Sequence, residues 1–469
     1  MVTTTHVPEA ARPTSAVSPT HPAAFARRLP WVLGTLACAV WAGFFPLVSH
    51  LGPQRTWGLI AAGGYLLAAG VAALAPRRRA PHLAVAAALL GAVAAPLAVM
   101  LVTGAAQSEV HVVQNSAVQL LRTGSPYLPD PHHVIGYNPY LPAMALFGLP
   151  RALLGSAGML PQVLGDARLW FLAAFVGCLA TSWQLLRRRT DRGTGAPAPS
   201  RGWFALAAVA GTPLVALTVS VSGVDLPLIG CCLLGLACAE RGFAVRAGLV
   251  VALACALKWT AWPVFPVALL LVQQRYGLRT ALRCAATALA AAALLIVPSV
   301  LVTPGAVVEQ VIRFPLGLSR MRTPANSPLP GHLLAELGPA GRTASLVLLG
   351  LGGAGVALWL FLRPPRTVVQ AADRLAAGVA VAFLLAPAGR FGYLELPVLL
   401  FLWPRLAAAG LRPPSATGWA RFVRGVRSLR TARPGRRTRT RRPARPEPIR
   451  GETHAGIVSQ EEVVLRASN

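Results

Sequence analysis

The chain has 469 residues, of which 55% are hydrophobic and only 13% are charged, and its formal net charge is +29. A soluble protein of this length would form charged-surface domains, whereas these apolar residues come in blocks of roughly 15–22, the length of a membrane-spanning helix. No long stretch alternates apolar and polar residues, which argues against a transmembrane β-barrel. The basic residues cluster between the apolar blocks and in the C-terminal tail, so no nucleic-acid partner is expected.

Apolar blocks follow one another from residue 31 and predict an all-α, polytopic transmembrane helical bundle of about 12 spans, with a transmembrane domain over 31–409. Residues 1–30 are polar and Pro-rich, which predicts a disordered cytoplasmic N-terminus before a signal anchor. The blocks between 225 and 273 are short, as expected of helices that end against a cavity. The predicted spans are 31–50, 57–75, 82–102, 168–186, 202–221, 225–239, 243–257, 259–273, 281–302, 344–362, 372–388 and 391–408.

Arginine clusters predict the orientation, because cytoplasmic connections carry an excess of basic residues. With the N-terminus inside, one topology places every cluster on the cytoplasmic side of a plasma membrane and leaves two long connections outside, 103–167 and 303–343. Residues 410–469 then form a cytoplasmic tail, which is rich in Arg and Pro and is predicted to be disordered. Anionic membrane lipids are its expected partner, and RNA or a protein is a less favoured alternative. The clusters are Arg27–Arg28, Arg77–Arg79, Arg187–Arg189, Arg241 and Arg246, Arg275 and Arg279, and Arg363 and Arg366.

The first long connection predicts an interfacial helix over 110–122 and an interfacial or re-entrant helix within 141–154. Glu109 stands at the outer end of the third predicted span, immediately before the first of these helices. A carboxylate at this depth could act as a general base on a lipid-borne substrate. The alternative, somewhat favoured on physical grounds alone, is a carboxylate that stabilises the helix start through the helix dipole.

Asp225 and Lys258 are ionisable residues at the ends of short mid-chain spans, where charges are costly and tend to have a role. Asp225 either faces the same outer cavity as Glu109 or only stabilises the start of a helix. Lys258, the only lysine in the chain, either binds a phosphate or extends toward the membrane surface.

Arginine is frequent in the remaining outer loops, and guanidinium groups bind phosphate oxygens through paired hydrogen bonds. A pyrophosphate or phosphodiester headgroup would suit the second long connection, whereas the alternative for each arginine is a solvated basic loop. Near the end of the transmembrane domain, Arg390 either contacts substrate or pairs with Glu395. The basic candidates in the second connection are Arg313, Arg320, Arg322 and His332.

His111, His132 and His133 lack the spacing of known zinc sites, and the sequence has no Walker-type or dinucleotide glycine motif. The seven cysteines are predicted to be small buried hydrophobes. Neither a metal nor another cofactor is therefore expected.

The order of these elements resembles the GT-C glycosyltransferases, and most closely glycosyltransferase family 87, the polyprenol-phosphate-mannose-dependent mannosyltransferases of actinobacteria. The resemblance covers roughly residues 100–400 and comprises an acid at the outer end of an early span, a following helix, a turn, a Tyr/Pro-rich segment and two mid-chain motifs. Two features differ: the family usually has Asp where this chain has Glu109, and here two further spans precede the acid. The matching segments are Gly124-Ser125-Pro126-Tyr127, Tyr137-Asn138-Pro139-Tyr140-Leu141-Pro142, SGVDLP and ALKWTAWPVFP.

The resemblance implies a hexosyltransferase that moves a sugar, with mannose the expected one, from a polyprenyl-phosphate donor to an extracytoplasmic glycan or glycolipid acceptor, with inversion. Glu109 would deprotonate the acceptor hydroxyl, and Asp225 would be a second catalytic residue. Basic and aromatic residues would bind the donor and stabilise the leaving phosphate. These are Lys258, Arg313, Arg320, Arg322, Arg390, Tyr127, Tyr140 and His332.

Two other classes of protein remain as alternatives. A secondary transporter or lipid flippase would explain the helix count and the polar groups within the membrane, but the sequence has no pair of related halves. A membrane scaffold would instead act through its cytoplasmic tail.

Overall fold

The computed structural model describes residues 22–155, 157–187, 198–321 and 323–409. Every regular element in these residues is helical, and the bridge between Asn326 and Gly389 stands outside any strand, which confirms the all-α prediction. The first helix begins at Pro22, inside the segment predicted to be disordered, because residues 22–30 are rich in good helix formers. Residues 1–21 and the predicted tail 410–469 lie outside the described residues.

The helices follow one another in chain order, with π-helical turns at Leu89–Ala94 and Val308–Arg313 and 3-10 turns at Val134–Gly136, Pro142–Gly148, Trp259–Ala261 and Phe391–Leu394. They are α1 (Pro22–Val48), α2 (Gly52–Leu74), α3 (Ala80–Ala88), α4 (Ala95–Thr103), α5 (Ser108–Thr123), α6 (Leu149–Leu154), α7 (Met159–Leu164), α8 (Ala167–Leu186), α9 (Ala198–Ala210), α10 (Pro213–Val221), α11 (Leu226–Glu240), α12 (Ala244–Leu257), α13 (Val264–Tyr276), α14 (Leu278–Val302), α15 (Pro304–Val307), α16 (Pro330–Glu336), α17 (Pro339–Leu362), α18 (Val368–Leu385) and α19 (Glu395–Ala409).

Seven of the described helices are long and apolar enough to cross a membrane, so the chain is a multispanning membrane protein. They are the main part of α1, α2, the continuous segment Ala80–Thr103, α8, α14, α17 and α18, and the bent pair α9 and α10 makes an eighth if it counts as one span. The predicted count of about 12 is not confirmed. The described parts of α11, α12, α13 and α19 have only 13–15 residues, roughly 20–23 Å, which is less than a bilayer core.

The short helix α11 lies at the centre of the bundle. It buries almost all of its residues and packs against α8, α12 and α13. Cys231, Cys232 and Cys238 lie in this buried helix as free thiols, in agreement with their predicted role as small hydrophobes. Because protein surrounds α11, its ends can satisfy polar backbone groups with protein partners.

Two breaks in the long helices receive side-chain hydrogen bonds from α2. The indole of Trp57 donates to the carbonyl of Ala92 in the first π-helical turn, at 2.9 Å. The hydroxyl of Tyr65 donates to the carbonyl of Gly211, between α9 and α10, also at 2.9 Å. Helix breaks free backbone carbonyls, and such partners satisfy them.

The connections of each predicted side contact one another. On the predicted cytoplasmic side, Arg275 pairs with Glu240 at 3.0 Å and donates to the carbonyl of Arg366 at 3.1 Å. On the predicted outer side, the buried Gln310 amide accepts from the Asn138 N–H at 2.9 Å and donates to the Leu128 carbonyl at 2.6 Å. Gln310 therefore joins the two long connections.

Both segments predicted to form interfacial helices contain helical structure, and their position relative to the membrane stays a prediction. Helix α5 covers the predicted 110–122 and buries Val110, Val113 and Ala117. The apolar stretch after Leu141 forms the turn Pro142–Gly148 and then the short α6, because Pro142 and Pro150 cannot continue a regular helix.

Candidate functional site

A cavity of about 380 Å³ lies at the predicted outer end of the bundle. Its wall is formed by the start of α5, the break between α12 and α13, both long connections, and helices α17 and α18. Most of the wall is apolar or aromatic. Its charged members are Glu109, Lys258 and Arg390.

Glu109 lies in the first turn of α5, after an extended Gln107. Its carboxylate forms an ion pair with the guanidinium of Arg390, which precedes the 3-10 turn Phe391–Leu394. The two side chains are 13% and 28% exposed, so both are partly shielded but can reach the cavity. The helix dipole also favours a carboxylate at this position. Glu109 is thus both a helix-start residue and a cavity residue, so the two sequence-based interpretations are compatible.

Lys258 follows α12 and Asp225 precedes α11, and their side chains meet in an ion pair of 2.8 Å. Burial disfavours the charged form of the lysine, but Asp225 and the nearby Tyr393 outweigh it, so the pKa of Lys258 is raised. Lys258 lies in the break between α12 and α13, next to the 3-10 turn Trp259–Ala261. Asp225 lies behind Lys258 and is not part of the cavity wall.

Aromatic rings surround these charges. The ammonium of Lys258 lies 4.4 Å from the ring centre of Tyr393 and 5.8 Å from that of Tyr140, which favours a cation there. Tyr137 stacks on Phe314 at 4.6 Å between ring centres, and this pair joins the two long connections at the cavity wall. Trp259, Trp262 and Phe383 complete the aromatic lining.

Several residues predicted from the sequence lie outside the cavity wall. Tyr127 is fully buried and donates to the Tyr140 carbonyl at 2.8 Å, so it supports the wall from behind. Arg313 lies 3.6 Å from Glu309 with a largely exposed side chain, and Arg320 is exposed. His332 lies on α16, where Nδ1 is 3.0 Å from the Pro387 carbonyl and Nε2 is 3.2 Å from Glu336. Arg322 lies outside the described residues.

The suggested Arg390–Glu395 ion pair is wrong, because Arg390 contacts Glu109 instead. Glu395 begins α19 and is 1% exposed, and its carboxyl oxygens have no hydrogen-bond partner among the described residues. Close spacing in sequence suggested the pair, but the 3-10 turn between the residues directs them to different environments. Arg168, which is fully buried, was not predicted from the sequence as a functional residue. A basic residue at a predicted outer helix end departs from the positive-inside pattern, which is the signal that could have identified it.

No group of three or more His, Cys, Asp and Glu side chains in the described part of the chain is arranged to hold a metal ion. His132 lies 3.6 Å from Asp130, and both side chains are largely exposed. The cavity wall itself carries two cationic side chains, Lys258 and Arg390.

The model of one protein family, described as Glycosyltransferase family 87, matches residues 138–387, which is more than half of the chain. This match confirms the resemblance found in the sequence. The matched segment contains Tyr140, Asp225 and Lys258, whereas Glu109 precedes it and Arg390 follows it. No curated protein and no solved structure matches the chain.

Proposed function

We propose a function for this chain from one premise: it belongs to glycosyltransferase family 87 and is a membrane glycosyltransferase. We infer that its donor is a polyprenyl-phosphate sugar, with mannose the expected sugar. The acceptor is a glycan or lipid-linked saccharide on the outer face of the plasma membrane. The family assignment favours an enzyme over the transporter, flippase and scaffold alternatives.

One observation carries this proposal: a carboxylate and two cations line the same partly apolar cavity. Glu109 can accept a proton, whereas Lys258 and Arg390 can stabilise a phosphate. The cavity wall also includes Leu349 on α17 and Val379 and Ala382 on α18, both long apolar helices. This wall suits the isoprenoid chain of a lipid-borne donor.

The reaction uses these groups in one displacement. Glu109 takes the proton of an acceptor hydroxyl, and the oxygen attacks the anomeric carbon. The bond from that carbon to the phosphate oxygen breaks, so the sugar leaves with inverted configuration and polyprenyl phosphate is released. The proton on Glu109 then passes to solvent.

The ion pair between Glu109 and Arg390 supports this mechanism through the movement of charge. In the ground state the carboxylate is negative and the donor is a phosphodiester. During the reaction Glu109 becomes neutral while the leaving phosphate gains a negative charge. Arg390 can contact the Glu109 carboxylate in the ground state and the leaving phosphate as that group gains charge. This change of partner stabilises the transition state more than the ground state.

Lys258 provides the second cation at a fixed position. Asp225 and the two tyrosine rings hold its ammonium group, so little reorganisation is needed when the phosphate develops charge. In this proposal Asp225 acts through Lys258, which refines its expected role as a second catalytic residue.

Purified protein in nanodiscs, supplied with radiolabelled polyprenyl-phosphate mannose and a lipid fraction from the outer leaflet as acceptor, would test this function. Wild-type protein should transfer the label, and Glu109→Gln should lower kcat by roughly 10²–10⁴-fold. Glu309→Gln is the matched control, because Glu309 is a carboxylate of the second connection outside the cavity wall. Full turnover by Glu109→Gln would exclude Glu109 as the base.

A proteoliposome experiment separates the enzyme from a transporter. If labelled lipid crosses the bilayer without any change in the glycan, and does so equally in Glu109→Gln, the glycosyltransferase proposal fails. If the protein transfers another sugar from polyprenyl phosphate but does not transfer mannose, the glycosyltransferase proposal stands and only the identity of the donor sugar changes.

A further inference from the structure

Arg168 is a charged residue whose side chain is completely buried near the predicted outer end of the bundle. It is the second residue of α8 and forms a two-pronged ion pair with Asp166, with Nε–Oδ1 at 2.9 Å and Nη2–Oδ2 at 2.8 Å. Asp166 also accepts from the backbone N–H of Arg168 and so caps α8. A buried ion pair is costly unless further hydrogen bonds satisfy it, so its remaining contacts are informative.

The remaining donor group of Arg168 reaches two other parts of the chain. Nη1 donates to the carbonyl of Ala105 at 3.0 Å and to the carbonyl of Ser220 at 2.7 Å. Beside it, the backbone N–H of Gln107 donates to the carbonyl of Val221 at 2.9 Å. One guanidinium therefore joins the link between α4 and α5 to the end of α10.

These two segments lead directly to the acids of the site. Ala105 lies in the link that ends at α5, whose first turn contains Glu109. Ser220 lies in the last turn of α10, shortly before Asp225 at the start of α11. A shift of either segment would move a carboxylate relative to its cation.

We propose that Arg168, held by Asp166, is a positioning residue that sets where Glu109 meets Arg390 and where Asp225 meets Lys258. A purely apolar side chain would fill this buried position at lower cost, but it could not bind two backbone carbonyls at once. The effect on catalysis rests on the function proposed above, whereas the effect on geometry does not.

The variant Arg168→Lys tests this role because lysine keeps the charge but lacks the planar fork that reaches three partners. Its matched control is Arg405→Lys, because Arg405 forms a similar two-pronged pair with Asp373, at 2.6 and 2.8 Å, away from the cavity. The variant Asp166→Asn keeps the side-chain shape and serves if Arg168→Lys does not fold.

Measurements of kcat, KM and the thermal unfolding midpoint distinguish an effect of Arg168 on the position of the catalytic groups from an effect on the stability of the protein. We expect Arg168→Lys to lower kcat at least tenfold, since small misplacements of reacting groups are costly, while the KM for the donor changes less than about twofold. Arg405 and Asp373 are 36% and 31% exposed, so Arg405→Lys should change the unfolding midpoint little and leave kcat unchanged. A lower midpoint with unchanged kcat in Arg168→Lys would overturn the proposal.

A geometric measurement keeps the test independent of activity. In a background without the seven native cysteines, the pair Glu109→Cys and Arg390→Cys is treated with a short thiol-specific cross-linker. Adding Arg168→Lys should slow cross-linking several-fold, whereas adding Arg405→Lys should not. Unchanged cross-linking on addition of Arg168→Lys would refute the positioning role. If Arg168→Lys slows cross-linking but the wild-type protein transfers no sugar, only the proposed function is refuted.

Discussion

The carboxylate of Glu109 pairs with the guanidinium of Arg390 across 281 residues of sequence, and both side chains line the same cavity. The candidate base is therefore paired with the same cation that the proposed mechanism assigns to the donor phosphate. A phosphate that binds Arg390 must compete with Glu109. This competition leads to a binding experiment that needs no turnover.

Glu109→Gln should bind polyprenyl monophosphate more tightly than the wild type, by roughly fivefold, the scale of a partly exposed ion pair. The reason is that Arg390 no longer has to leave a carboxylate. Arg390→Gln should bind more weakly. Dissociation constants measured in detergent for the wild type, both single variants and the double variant form a double-mutant cycle.

The double variant separates competition from a general change in charge. If Glu109 acts through Arg390, adding Glu109→Gln to the Arg390→Gln variant should increase the affinity for polyprenyl monophosphate less than about twofold. An equal gain in affinity in the wild-type and Arg390→Gln backgrounds would mean that Glu109 acts only as a nearby negative charge. Glu309→Gln should leave all the constants unchanged, because its carboxylate is not in the cavity wall.

Lys258→Gln should reduce both stability and activity, because it leaves the Asp225 carboxylate buried without a partner. Loss of one member of a buried pair costs about 3–5 kcal/mol. Adding Asp225→Asn should restore most of the thermal unfolding midpoint but not the donor affinity or kcat. Recovery of full activity in the double variant would show that Lys258 is needed only for folding.

Gly64→Ala should destabilise the bundle, because a Cβ at this position would clash with the backbone of Gly91 in the π-helical turn. Overpacking of this kind costs about 1–3 kcal/mol. The adjacent Gly63→Ala is the control, since its Cβ would meet nothing within 4 Å. Thermal unfolding followed by gel filtration in detergent would compare the two, and equal midpoints would contradict the close approach of these helices.

Gln310→Glu should loosen the contact between the two long connections, because a carboxylate oxygen would replace the amide that donates to the Leu128 carbonyl. An unsatisfied buried group of this kind costs about 1–3 kcal/mol. The stacked pair of Tyr137 and Phe314 should then lose its support, so the KM for the donor should rise more than kcat falls. Asn115→Asp, an exposed change of the same chemistry on α5, should leave both constants unchanged.

The sequence by itself determined the helical class, most of the long spans and the helix that begins beside Glu109. These are local properties, because the free energy of placing a helix in a bilayer depends on about 20 consecutive residues. It also identified Glu109, Lys258 and Arg390, since a charge near a membrane is costly and therefore conspicuous.

Only the tertiary structure decided which of these charges meet. Arg390 pairs with the distant Glu109 and not with the nearby Glu395, and Lys258 pairs with Asp225. The contacts of Arg168 with the carbonyls of Ala105 and Ser220 were also decided by the tertiary structure. Ion-pair partners are chosen by how separate helices pack, and that packing depends on contacts between residues far apart in sequence, which no local pattern of hydrophobicity or charge contains.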